Sequence, residues 1–61
     1  MNSGIAEGLK SLLLLEYGGS TFDMVEDFVR GTVSELQLAA EIGSSGLDLA
    51  IGYKKSLTGK N

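Results

Sequence analysis

Apolar and polar residues alternate with the period of an α-helix along one long segment, from Thr21 to Ile42. Apolar residues recur there at spacings of three and four, and polar residues repeat with the same period beside them. The first apolar row consists of Phe22, Val25, Val29, Val33, Leu36 and Ala40. The pattern predicts a central amphipathic helix over residues 21–42, which would be roughly 33 Å long.

A second apolar row lies beside the first when residues are placed about 100° apart around the helix axis. It consists of Met24, Phe28, Leu38 and Ile42. The two rows together cover more than half of the circumference, whereas one packed neighbour covers a stripe only somewhat wider than about 100°. We therefore expect these four residues, with Leu14, to form a protein interface. A two-fold dimer is the first expectation, because it is the commonest way for identical patches to meet.

Residues 4–17 are predicted to form a first helix, because apolar residues recur on one of its faces. That face carries Ile5, Leu9 and Leu12. Gly18-Gly19 should end this helix and reverse the chain, which predicts an antiparallel hairpin with the next helix. A double glycine also resembles the processing site of leader peptides on secreted bacterial peptides, although the acidic sequence after it argues against that alternative.

The segment Gly43-Ser44-Ser45-Gly46 is the second predicted break, and Ser45 with Asp48 resembles a capping box for a third helix over 46–57. In the alternative, this segment fails to interrupt the helix, and a long bent helix favours a filament or a membrane-associated assembly. The preferred prediction is one all-α domain over residues 1–61, completed by self-association. Its helices lie near 4–17, 21–42 and 46–57.

The predicted core follows from the first apolar row of the central helix. Its most buried residues should be Phe22, Val25, Val29, Val33 and Leu36, with Ile5, Leu9 and Leu12 packed on them. A domain of 61 residues buries only about 60% of the surface of its unfolded chain, so its stability is marginal. Self-association is one common way for so small a domain to gain further burial.

The chain contains no cysteine and no histidine, which removes ordinary zinc sites and Ser-His or Cys-His nucleophile pairs. It also lacks a glycine-rich phosphate loop followed by Lys-Ser or Lys-Thr. We therefore expect no enzymatic activity, no catalytic or metal-binding residues and no cofactor. With no signal-peptide pattern and no apolar run near the ~20 residues of a membrane helix, the expected location is the cytoplasm.

The net charge of −3 argues against a free-standing nucleic-acid binder, because phosphate contacts dominate such affinity. The charge is uneven, with −6 in residues 1–50 and +3 in residues 51–61. The three basic residues at this end, a possible contact for phosphate or anionic lipid, are Lys54, Lys55 and Lys60. The alternative is that these lysines only complement the negative end of the last helix dipole.

Three classes of function remain. The preferred one is a non-enzymatic protein–protein interaction module, a regulator or adaptor that binds a larger protein or a second copy of itself. The first alternative is a repeating subunit of a filament, coat or membrane-associated assembly. The second is a small helix-turn-helix-like nucleic-acid binder, which the acidic start of the third helix at Asp48 disfavours, because recognition helices read bases with their N-terminal residues.

Overall fold

A computed structural model describes residues 3–58 of the chain as three α-helices packed together. Helix α1 spans Ser3–Tyr17, α2 spans Gly19–Arg30 and α3 spans Glu35–Thr58. The Cα radius of gyration is 10.5 Å, close to the value of about 10–11 Å for a compact chain of this length. The predicted all-α class with three helices is confirmed.

The first break lies where the double glycine predicts it. Gly18 has φ 88°, its N–H donates to the Leu14 carbonyl at 2.9 Å, and its own carbonyl accepts from the Phe22 N–H at 3.0 Å. Helix α2 therefore begins at Gly19, with Gly18 as a cap that makes no side-chain bond. A residue with a Cβ would be strained at this φ, which explains why the reversal uses glycine.

The predicted central helix over 21–42 is wrong, because the chain leaves the helix at Gly31. This glycine is left-handed, with φ 91° and ψ 10°. Its N–H donates to the Phe28 carbonyl at 3.0 Å, and the Thr32 N–H donates to the Asp27 carbonyl at 2.9 Å. This pair of bonds is a Schellman motif, which satisfies the last carbonyls of α2 and ends it.

A capping box then starts the third helix. The Ser34 N–H donates to Gln37 Oε1, and the Gln37 N–H donates to Ser34 Oγ, both at 3.1 Å. Each side chain thereby satisfies a backbone donor that the first turn of a helix leaves free. The longest helix is therefore α3 at the C-terminal end of the described chain, and not a central helix.

The second predicted break is present at Gly43, where a kink joins two helical segments of α3. Within α3, Gly43 has non-helical backbone angles, φ 81° and ψ 174°, and helical structure continues on both sides of it. Helical structure resumes at Ser44, two residues before the predicted start of the third helix at residue 46. The alternative of one long bent helix that continues the predicted central helix is wrong, because α2 ends at Arg30 and α3 covers only Glu35–Thr58.

Side chains from all three helices form a single core. Its buried apolar members are Ala6, Leu13, Phe22, Val25, Phe28, Leu38, Ala50 and Tyr53. The predicted core is right for Phe22 and Val25, whereas Leu9, Val29 and Val33 are only partly buried against it. It is wrong for Leu36, Ile5 and Leu12, which are 84%, 58% and 43% exposed.

Helix α3 runs antiparallel to α1 after the bend at Gly43. A Cβ placed at Gly46 would lie 2.6 Å from the Tyr17 hydroxyl oxygen, and one at Gly52 would lie 3.6 Å from Leu9 Cδ1. Increasing residue numbers in α3 thus meet decreasing numbers in α1. Only a glycine at position 46 lets the two helices approach this closely without moving Tyr17 or its own neighbour Ile42.

Candidate docking surface

Four of the five residues predicted to form an interface are covered, wholly or partly, by the chain itself. Phe28 and Leu38 are buried in the core, and Met24 and Ile42 pack against it as partly buried residues. Leu14 is 37% exposed. The prediction assumed one straight helix, and the reversal at Gly31 lets both of its halves fold onto α1. Contact of these residues with another chain stays a prediction.

A different set of apolar residues faces solvent along α1. Ile5, Leu12 and Leu15 are 58%, 43% and 85% exposed, and the exposed Gly8 lies between Ile5 and Leu12. The spacing of these four residues is three, four and three, which places them within an arc of about 80° on one side of the helix. We call these four residues the outer stripe. They repeat as the a and d positions of a coiled coil do.

The opposite side of α1 packs into the core. Ala6 and Leu13 are buried there, and Tyr17 is partly buried against the same cluster. Leu14 lies outside the outer stripe, about 160° around the helix from Leu12, and it is about 100° away from the buried Leu13 and 37% exposed. Helix α1 is thus apolar on two sides, and the described residues of the chain cover only one of them.

The outer stripe carries little charge. Glu16 is the charged residue at its edge, in the last turn of α1, where no basic residue accompanies it. The first turn of α1 contains no acidic residue. A lone helix is stabilised by acids at its start and bases at its end, so both ends of α1 depart from the favourable arrangement.

Sequence reasoning missed the outer stripe because the four consecutive leucines, residues 12–15, give α1 apolar residues at nearly every angle. Ile5 and Leu12 share a face with Leu9, and that face suggested a core contact. A second apolar face could have been found from Ala6, Leu13 and Tyr17, which are seven and four residues apart and therefore lie on one side of the helix. Only the positions of α2 and α3 decide which face is buried.

The structure describes two of the three predicted anion-binding lysines, Lys54 and Lys55. Lys54 Nζ lies 5.1 Å from the centroid of the Phe28 ring, within the range of a cation–π contact. Lys55 is exposed in the last turn of α3. Lys60 lies outside the described residues. The structure thus places Lys54 against α2 and leaves the anion or lipid contact a prediction.

Tyr53 lies in the core, and its surroundings shift its pKa. Its ring packs on Phe22 with centroids 5.6 Å apart and planes inclined by 55°. Burial raises the pKa of Tyr53 above 10.0, and the negative charges of Glu26 and Glu7 raise it further. The phenol is therefore held in its neutral form, as expected for a residue of the core.

Among residues 3–58, no group of three or more His, Cys, Asp or Glu side chains could hold a metal ion. No helix in this range is long and apolar enough to cross a membrane. Comparisons with protein-family models, with curated proteins and with solved structures found no match. The described residues thus define a small all-α fold of three packed helices.

Proposed function

We propose that this protein is a non-enzymatic interaction module that docks a helix of another protein chain along the outer stripe of α1. The observation that carries the proposal is that Ile5, Leu12 and Leu15 face solvent together at helical spacing. A single exposed leucine is ordinary on a protein surface. Three large apolar side chains in one row are the pattern by which amphipathic helices recognise each other.

Burial of the outer stripe by a partner would lower the free energy of the complex. Removing a fully exposed Leu or Ile side chain from water is worth about 1.5–3 kcal/mol, so burying the parts of Ile5, Leu12 and Leu15 that are still exposed would contribute roughly 3–6 kcal/mol. Association costs an estimated 4 kcal/mol or more in lost translational and rotational freedom. The stripe alone therefore supports weak, reversible binding, which suits a regulator or adaptor.

A repeating assembly subunit is a second candidate. An open assembly needs two different surfaces, each complementary to the other. Leu36 at the start of α3 is 84% exposed, as much as Leu15 at 85%, and it lies on a different helix. This leucine supports the second candidate, because it offers a contact point separate from the outer stripe.

The test is site-specific photo-crosslinking in cells. A photoreactive amino acid replaces Leu15 in one variant, Leu36 in a second and the exposed Asp48 in a third, which measures background. We expect protein adducts at position 15 well above those at position 48. Adducts at both 15 and 36 would favour the assembly subunit. Equal, low yields at all three positions would contradict a docking role for the outer stripe.

A further inference from the structure

We infer that the partner of the outer stripe is a second copy of this chain, with the two α1 helices antiparallel across a two-fold axis. This inference rests on the proposed docking role and names its partner. It is carried by the order of large and small residues along the stripe, and by the charges at the two ends of α1.

The stripe is complementary in shape to its own antiparallel copy. When the two-fold axis passes at the level of residue 10, Ile5 of one copy lies opposite Leu15 of the other. In the same register, Gly8 lies opposite Leu12. Apart from its chain neighbours and the local helix backbone, no atom of the described residues lies within 4 Å of the position that a Cβ of Gly8 would occupy, so this glycine leaves a depression for the facing leucine. Each large side chain then meets a leucine, an isoleucine or a gap, as in knobs-into-holes packing.

Charge selects the antiparallel orientation over the parallel one. The register brings Glu16 of each copy to the level of Gly4 in the other, within a first turn that has no acidic residue and lies at the positive end of the helix dipole. A carboxylate that is unfavourable in the last turn of its own helix thereby meets the positive end of a second helix. A parallel pair would instead place the two Glu16 carboxylates side by side and align the helix dipoles unfavourably.

The small size of the contact between the two α1 helices indicates how tightly the dimer should bind. Helix α1 has 15 residues and is about 22 Å long, so a contact made by one pair of these helices is smaller than a standard protein interface. Stable complexes bury about 800 Å² per partner. We therefore expect a weak dimer with a dissociation constant between about 10 µM and about 1 mM.

Sedimentation equilibrium across this concentration range tests the self-association. The unaltered chain should change from monomer to dimer, and Leu15→Lys should weaken the dimer about tenfold or more, because it places a charge in the contact. Leu36→Lys is the matched control, since it changes an equally exposed leucine outside the stripe. This control should leave dimerisation within about twofold of the unaltered chain. A chain that stays monomeric to ~1 mM, or equal losses in both variants, would overturn the inference.

Disulfide trapping tests the orientation, and the absence of natural cysteine makes each introduced thiol unique. Ile5→Cys and Leu15→Cys chains are mixed and oxidised, one of them labelled with a heavy nitrogen isotope so that mixed and like pairs differ in mass. The antiparallel register brings these positions together, whereas the two copies of position 15 lie about 15 Å apart along the axis, beyond disulfide reach. Disulfides between positions 5 and 15 should therefore be several-fold more frequent than disulfides between two copies of the same position. The disulfide yield of Leu36→Cys measures random collision.

Predominance of like pairs, or mixed pairs no more frequent than the Leu36→Cys background, would overturn the antiparallel dimer. Failure here can be distinguished from failure of the docking role. If position 15 crosslinks in cells to a different protein while the isolated chain stays monomeric, the docking role stands and the second copy is the wrong partner. If position 15 crosslinks to nothing above background, both proposals fail.

Discussion

The two sides of α1 carry the same kind of residue and meet different surroundings. Leu12 and Leu13 are neighbours in the chain, yet Leu12 is 43% exposed and Leu13 is fully buried. The inner side packs against α2 and α3, and the outer side carries the stripe with Ile5 and Leu15. Leucine content alone therefore does not define a core. A residue belongs to the core when the chain has another helix to place over it.

The largest expected effect on stability is the difference between an aspartate at position 13 and an aspartate at position 12. Leu13→Asp would bury an unpaired carboxylate, which costs several kcal/mol and matches the total stability of about 3–5 kcal/mol expected for a domain this small. We expect it to abolish cooperative thermal unfolding followed by circular dichroism. Leu12→Asp, which points to solvent, should retain the helical spectrum and a cooperative transition. Equal damage from both variants would show that the two sides do not differ as described.

A smaller effect concerns the turn that lets α2 and α3 both reach the inner side. Alanine at Gly31 would occupy the left-handed region, so Gly31→Ala should lower the free energy of unfolding by about 1–2 kcal/mol. Gly8→Ala is the matched change on the outer side, where the backbone is helical and the space is open. It should raise the stability of the monomer by up to about 1 kcal/mol.

Urea unfolding at low micromolar concentration measures both glycine variants as monomers. A gain from Gly31→Ala would mean that α2 continues as a helix beyond Arg30, as the sequence pattern predicts. A loss from Gly8→Ala would mean that the outer side is packed within the monomer. The same Gly8→Ala substitution should weaken the proposed dimer, because its methyl group fills the depression opposite Leu12.

The smallest expected effect is a loss of folding stability at alkaline pH, caused by the core residue Tyr53. Tyr53 has a pKa above 10.0 in the folded chain, and an unfolded tyrosine titrates near 10. Its contribution is therefore fully present below pH 10 and is lost as the pH rises from 10 towards the folded value, because the unfolded state loses the proton first. Unfolding followed between pH 9 and pH 11 should show this loss.

Tyr53→Phe is the control for that alkaline loss, since it keeps the ring against Phe22 and removes the phenol. Its stability should fall less steeply above pH 10 than that of the unaltered chain. Identical pH profiles for the two chains would mean that the Tyr53 phenol is not shielded from water by the core.

Sequence periodicity predicts the all-α class, the break at Gly18 and two members of the core, Phe22 and Val25. It fails at Gly31, because Val29 and Val33 keep the helical spacing of four across the turn. The local signals were present there, a glycine followed by Ser34 and then by Gln37 at capping-box spacing. Helix termini depend on such hydrogen bonds more than on apolar period, so the period alone makes the central helix too long.

The sequence predicts that an apolar contact surface exists, but it does not predict which residues form that surface. An excess of apolar surface in a short chain indicates a partner, but which residues remain exposed depends on how the helices pack. The predicted interface residues Phe28 and Leu38 are covered because the turn at Gly31 folds α2 and α3 back on α1. The prediction of burial for Ile5 and Leu12 was wrong because α2 and α3 pack on the opposite side of α1.

Leucine methyl NMR on dilution tests most directly whether the outer side of α1 is the surface that another copy covers. Spectra of the unaltered chain are compared between about 1 mM and about 10 µM, the range expected for the dimer. The account predicts that the methyl resonances of Leu12 and Leu15 move together with concentration, while those of exposed Leu36 and buried Leu38 stay fixed. Movement confined to Leu36, or fixed positions for all four leucines, would contradict it.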